Sequence, residues 1–153
     1  MTDMLVKLYD LPELLPLSDP EITVRRALTP EKHLICKWVG ENFNAHWVSE
    51  CEVTLSSHPV SCFIAISDAA LVGFACYDAT ALGFFGPTGV LETIRGRGIG
   101  RHLLLRCLHD MATKGYGYAI IGGAGPTDFY TRAVNAVEIP DSTPGIYRGL
   151  LRR

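Results

Sequence analysis

Apolar and polar positions change period several times along the 153 residues. The first twenty, MTDMLVKLYDLPELLPLSDP, settle into neither the helical nor the strand period. Pro12, Pro16 and Pro20 interrupt them, so they predict an irregular arm with at most one short helical turn. Ile22–Leu28 alternates loosely and predicts a first strand. Thr29-Pro30 then reads as a helix start, with Thr29 as N-cap, Pro30 at the first position and Lys32 where a capping box places glutamate. Leu34, Ile35, Trp38 and Val39 form its apolar stripe, which ends near Gly40. Ala45–Ser57 predicts a second helix, stopped before Pro59.

The period then shortens. Val60–Ser67 and Leu71–Asp78 predict two strands joined by a tight Asp68-Ala69-Ala70 connection. Leu82–Glu92 predicts a third, in which Gly86-Pro87 implies a bulge or a sheet edge. Ile99, Leu103, Cys107 and Met111 recur every fourth residue, with Leu104 and Leu108 beside them. They mark one helix face that stops at Lys114-Gly115. Tyr116–Gly123 reads as a buried strand and Pro126–Val134 as a short helix. Two short strands follow, near 136–139 and 146–151, with IPDSTPG as the turn between them. This order of elements predicts an α/β or α+β domain with a mostly antiparallel first half.

Length and composition add bounds. A chain of this size supports one core, and 48% hydrophobic against 20% charged residues predicts a folded chain. A net charge of -2 argues against a nucleic-acid binder, which needs a basic face. The five cysteines, 36, 51, 62, 76 and 107, contain no CxxC pair, so neither zinc nor a disulfide framework is indicated and no metal is expected. The N-terminus lacks the apolar run of a signal peptide, and no stretch reaches the roughly 18 apolar residues of a membrane span. A soluble, cytoplasmic protein without membrane partners is the expectation.

The densest chemistry lies in Arg95-Gly96-Arg97-Gly98-Ile99-Gly100-Arg101, directly before the long helix. Glycines let the backbone turn its N–H groups outward. The first helical turn adds unpaired donors and the positive end of the helix dipole. Together these make an anion site suited to phosphate. The nucleotide P-loop lysine and hydroxyl are missing, and GxGxG is not the GxGxxG of a dinucleotide fold.

Arg95-x-x-Gly98-x-Gly100, between a strand and a long helix, resembles the Gln/Arg-x-x-Gly-x-Gly/Ala signature of the GNAT superfamily of N-acetyltransferases. VLETIRGRGIGRHLL matches that run, with Glu92 where a proline is common. DFYTRAVNAVEI resembles the later family segment, with Tyr130 on its tyrosine and Ala136-Val137 in place of Gly-Phe. Gly123 stands where an asparagine is frequent. The resemblance implies an N-terminal arm over 1–20 and a GNAT-like domain over 21–153. It also implies a mixed central sheet of about six to seven strands with about four helices.

It further implies acetyl-coenzyme A as co-substrate. The pyrophosphate would lie on the backbone of Arg95, Gly96, Arg97, Gly98, Ile99, Gly100 and Arg101. The pantetheine arm would pair with Val90 and Leu91, between splayed strands at 82–91 and 118–122, and the Leu91 N–H or a neighbour would hold the oxyanion. Acyl transfer to an amine needs a base, or a water relay, and an acid for the leaving thiolate. Tyr130 is the candidate acid, since a phenol is protonated at neutral pH. Many family members place a glutamate upstream of the loop, but GFFGPTG has none; Glu92 and Asp78 are the nearest carboxylates. His109 is expected on the exposed side of its helix. Trp47, His46 and Tyr147 are candidates for the acceptor pocket, with Asn42, Phe43, Asn44 and Glu50 beside the first two and Asp141 and Ser142 near the third. The expected partner is a small-molecule amine. A homodimer is compatible with the apolar tail. A non-catalytic acyl-coenzyme A binding module, a protein N-acetyltransferase and a generic nucleotide-binding domain are the alternatives.

Overall fold

The computed structural model describes residues 1–152. Seven strands form one mixed sheet: β1 (Met4–Lys7), β2 (Ile22–Arg26), β3 (Cys62–Ser67), β4 (Ala70–Tyr77), β5 (Phe84–Val90), β6 (Tyr118–Ile121) and β7 (Val137–Glu138). Their order across the sheet is β2-β3-β4-β5-β6-β1-β7. β2 to β5 are an antiparallel meander, β5 and β6 run parallel, and β1 lies antiparallel between β6 and β7. The helices are α1 (Lys32–Asn42), α2 (Ala45–Leu55), α3 (Ile99–Lys114) and α4 (Thr127–Val134).

The central strands are covered on both faces. Phe63, Ala65, Val72 and Tyr77 pack under Leu103, Cys107 and Met111 of α3, and the buried residues of α4 join this cluster. Ile64 and Phe74 face the other way, onto Ile35 and Val39 of α1 and Cys51 and Leu55 of α2. That double cover explains why β3 and β4 read as continuous apolar runs rather than as alternating ones. The whole predicted α3 stripe is buried. Asp68 and Ala69 both take positive φ, 51° and 62°, as a two-residue hairpin turn requires. All five cysteines are free, four of them buried.

Four expectations need correction. The first twenty residues are not irregular throughout: Met4 and Val6 are fully buried in β1, between β6 and β7. A four-residue strand is too short for its alternation to stand out, and its partners lie over a hundred residues away. The remainder of the arm packs on α3, where His109 Nε2 lies 2.8 Å from the Pro12 carbonyl oxygen, so His109 is not on an exposed face. Thr29 does not cap α1. A 3₁₀ turn over Thr29–Glu31 precedes it, and the Leu28 N–H donates to the Glu31 carboxylate at 2.8 Å. The second tail strand is absent: 145–147 is a 3₁₀ turn, and β7 pairs with β1 instead.

Candidate active site

The site opens where β5 leaves β6. The two strands pair only at Phe84–Ile120 and Phe85–Ile121, and the β6-side edge of β5 is unpaired from Gly86 to Val90. The expected bulge lies here. Between the Tyr77–Phe85 and Ala75–Thr88 pairs, β5 carries one residue more than β4, at Gly86-Pro87. The predicted splay between the two strands is therefore present. Its far side is set by β4. The Leu91 N–H donates to the Val72 carbonyl at 2.9 Å. An antiparallel ladder alternates, so the backbone groups of Val90 and Thr88 turn away from β4, toward the gap. Leu91 is thus corrected as an oxyanion donor, because its N–H belongs to the sheet; Val90 has the free edge.

A cavity of about 960 Å³ fills the gap. It runs through the sheet: Trp47 and Glu50 of α2 line it from one face, Leu104 of α3 and Tyr130 of α4 from the other. Arg95, Gly96, Gly98, Ile99, Gly100 and Arg101 line one end. Gly98 is the N-cap of α3 at φ 77°, with no side chain capping the first turn. That backbone region favours glycine, and a Cβ there would project into open space at the helix mouth. The first-turn amides are therefore left for a ligand. Arg97 is not part of this lining; its guanidinium meets Asp19 at 3.3 Å.

Tyr130 lines the cavity. Its ring is wedged between Phe85 and Phe129 at 6.4 and 5.1 Å, and among the described residues nothing hydrogen-bonds its hydroxyl. Burial pushes the phenol up to about 12. The hydroxyl is not sealed in the core without a partner but opens to the cavity, where it presents a protonated donor.

The two carboxylates nearest in sequence are elsewhere. Asp78 accepts from the Gly83 N–H at 2.8 Å, from the Tyr116 hydroxyl at 3.0 Å and from Lys114 at 3.0 Å. It ties the β4–β5 connection to the end of α3, outside the cavity lining. Glu92 is exposed in a 3₁₀ turn, also outside. Neither faces a cavity-bound amine. Trp47, His46 and Tyr147 do line the cavity. Ser142 instead stitches the tail to the N-terminus, accepting from the Asp3 N–H at 2.8 Å. Thr80 and Glu50 meet at the α2 side, where the Thr80 hydroxyl donates to Glu50 Oε2. Thr80 gave no signal in the sequence. Glu50 had one: it stands three and four residues beyond Trp47 and His46, which puts all three on one helical face. Among the described residues, no group of three or more His, Cys, Asp or Glu is gathered as metal ligands, and no helix is long and apolar enough to cross a membrane.

Residues 23–134 match the model of the acetyltransferase (GNAT) family. The chain belongs to that family. Solved structures share its fold. A GCN5-related N-acetyltransferase from Sphaerobacter thermophilus superposes with a TM-score of 0.72 at 20% identity, over 90% of this chain and 48% of that one. A GNAT acetyltransferase from Brucella melitensis, solved with acetyl-CoA, gives 0.57 at 18% identity, over 72% and 80%. A fungal GCN5-related glucosamine N-acetyltransferase region gives 0.70 at 15%, over 90% and 19%. This GNAT chain thus spans about half the length of the Sphaerobacter protein and less of the fungal one. No curated protein gives a significant match. The mixed sheet with its β5–β6 gap and the glycine loop before α3 are the GNAT architecture that the Arg95–Gly100 signature implied.

Proposed function

We propose that the chain transfers an acetyl group from acetyl-CoA to the primary amine of a small-molecule acceptor. The observation that carries this reading is the through-sheet cavity, with unpaired amides at the α3 end and an unpartnered phenol within it. The residues fit the cofactor. The first-turn amides of α3, with Arg95 and Arg101 beside them, suit a pyrophosphate. The free β5 edge at Val90 and Thr88 suits the amide groups of a pantetheine arm.

Bound acetyl-CoA supplies a thioester carbonyl open to attack by a neutral amine. The chain's part is to hold and to move protons. The Val90 edge offers a donor to the carbonyl oxygen as charge gathers there. Tyr130 holds its proton through neutral pH and gives it to the departing sulfur. The α2 side, with Trp47, His46 and Glu50, meets the acceptor from the opposite face of the sheet, as a direct attack requires.

Calorimetric titration with acetyl-CoA tests this reading. The parent protein should bind, and Gly98→Val, checked for its melting temperature, should lose at least tenfold in affinity, since a side chain there fills the amide cradle. A parent that ignores acetyl-CoA would overturn the proposal. A parent that binds it yet acetylates no amine in a panel would leave a binding module in its place.

A further inference from the structure

Among the described residues the cavity has a single side-chain carboxylate in its lining, Glu50. It arrives from α2, on the face of the sheet opposite Tyr130. The Thr80 hydroxyl holds Oε2, which leaves Oε1 uncommitted among the described residues. No cation is ion-paired with it there. Burial pushes its carboxyl above the ordinary carboxylate value, against the Thr80 hydrogen bond. His46, one helical turn back, also opposes the rise. β5, which forms the adjoining wall, brings no ionisable side chain. Arg95 precedes α3 and Arg101 stands in its first turn, at the other end of the cavity.

The walls beside Glu50 are aromatic. Trp47 shares its helical face and stacks on Phe43 at 5.0 Å. Phe43 in turn sits on Gly89 of β5, where a Cβ would come within 2.4 Å of the ring. Phe84 and Tyr147 continue the lining. This end of the cavity offers one acid for a cation and flat apolar surface for the rest of a molecule; among the described residues it brings neither arginine nor lysine for a carboxylate, and the His46 imidazole is its one basic side chain.

We infer that Glu50, held by Thr80, takes the proton from the acceptor's ammonium group, and that the acceptor is a primary amine with a flat apolar body and no carboxylate. The inference rests on the acetyltransferase reading. One ammonium proton passes to Glu50 Oε1, and the freed lone pair forms the bond to the acetyl carbon. The C–S bond breaks with its electron pair on sulfur, which takes the Tyr130 proton. The nitrogen then loses a second proton, which restores Tyr130 by way of solvent, and Glu50 releases its own. The products are an amide, a thiol and one proton.

The probe pair is 2-phenylethylamine and phenylalanine, which differ by one carboxylate. Each is titrated into the coenzyme-free parent, Glu50→Gln, Glu50→Asp and Thr80→Val, and acetylation is then followed from pH 5 to 9. The parent should bind and acetylate 2-phenylethylamine at least tenfold better than phenylalanine. Glu50→Gln should lower kcat by about 10²–10⁴-fold, the range of a general base, abolish the acidic limb of the profile, and leave acetyl-CoA affinity unchanged. Glu50→Asp should keep that limb. Thr80→Val should lower kcat less than Glu50→Gln does and shift the limb. Full turnover in Glu50→Gln with an unaltered limb, or a preference for phenylalanine, would overturn the inference. Absence of acetyl-CoA binding by the parent would instead sink the acetyltransferase reading, and Glu50 would stand or fall on the amine-binding contrast between parent and Glu50→Gln.

Discussion

Asp110 and Glu50 are both partly buried carboxylates that accept a hydrogen bond from a hydroxyl, Tyr77 in one case and Thr80 in the other. Their surroundings drive them in opposite directions. Asp110 receives the fork of Arg26 at 2.9 and 3.1 Å and the Tyr77 hydroxyl at 2.5 Å. Burial resists ionisation there, but Arg26 and Tyr77 outweigh it and hold the carboxyl below its ordinary value. Among the described residues Glu50 has no such cation, burial prevails, and its carboxyl is pushed up. The phenols repeat the contrast. Burial raises both Tyr77 and Tyr130, but Tyr77 spends its hydroxyl on Asp110 whereas Tyr130 has no partner among the described residues. Burial alone therefore does not mark a working site. The trio of Arg26, Tyr77 and Asp110 cross-links β2, β4 and α3; Glu50 and Tyr130 face a cavity.

The largest expected effect separates the two phenols. Tyr130→Phe should lower kcat about 100-fold, or about 2.7 kcal/mol of barrier, with acetyl-CoA affinity and melting temperature unchanged. Tyr77→Phe should do the reverse: normal turnover in the folded protein and a stability loss of about 1 kcal/mol for one hydrogen bond. Equal kinetic effects from the two variants would erase the contrast.

Next is Asp110→Asn, read by chemical denaturation. It strands the Arg26 guanidinium, which also donates to the Val60 carbonyl at 2.6 Å and lies 4.8 Å over the Phe63 ring. A fully buried pair would cost more, but the Arg26 side chain is 35% exposed, so about 2 kcal/mol is expected. A loss below about 0.5 kcal/mol would show the trio to be no more than a surface ion pair.

A smaller effect belongs to the loop. Gly98→Ala places a Cβ at φ 77°, which should cost about 1 kcal/mol of stability in thermal melts. An unchanged melting temperature would mean that the turn relaxes at no cost.

The smallest effect is the pH dependence of stability, and its sign differs between the two acids. Asp110 is depressed in the fold, so its contribution is full above the ordinary aspartate value of about 3.9 and is lost as pH falls through the folded value. Glu50 is raised, so its contribution is full below the ordinary glutamate value of about 4.3 and is lost as pH rises through the folded value. Glu50→Gln should therefore melt like the parent near pH 4 and above it at pH 8, while the deficit of Asp110→Asn should shrink on acidification. Parallel curves would mean that the two carboxylates sit in equivalent environments.

Much of the fold was legible because it is locally encoded. The α3 stripe, the hairpin at Asp68-Ala69 and the Gly86-Pro87 bulge each follow from residues adjacent in sequence. β1 was not legible, since four residues show no period and their partners lie at 118–121 and 137–138. In the site, the glycine loop could be read from spacing alone. The carboxylates could be read only in part: the face shared with Trp47 and His46 pointed to Glu50 for the acceptor pocket, but not as its acid. Asp78 and Glu92 are close to the loop in sequence and outside the cavity in space, whereas Glu50 is far in sequence and within it.

The sequence by itself determined the anion cradle before α3 and the family to which it belongs, because backbone N–H groups, a left-handed glycine and a helix start need no distant partner. Only the tertiary structure decided which acid faces the cavity, which phenol is left unpartnered and which strand edge is free. Each of those depends on what another segment does with the neighbouring hydrogen-bonding group. Leu91 loses its amide to Val72, and Tyr77 its hydroxyl to Asp110. Glu50 gives Oε2 to Thr80 and, among the described residues, keeps Oε1.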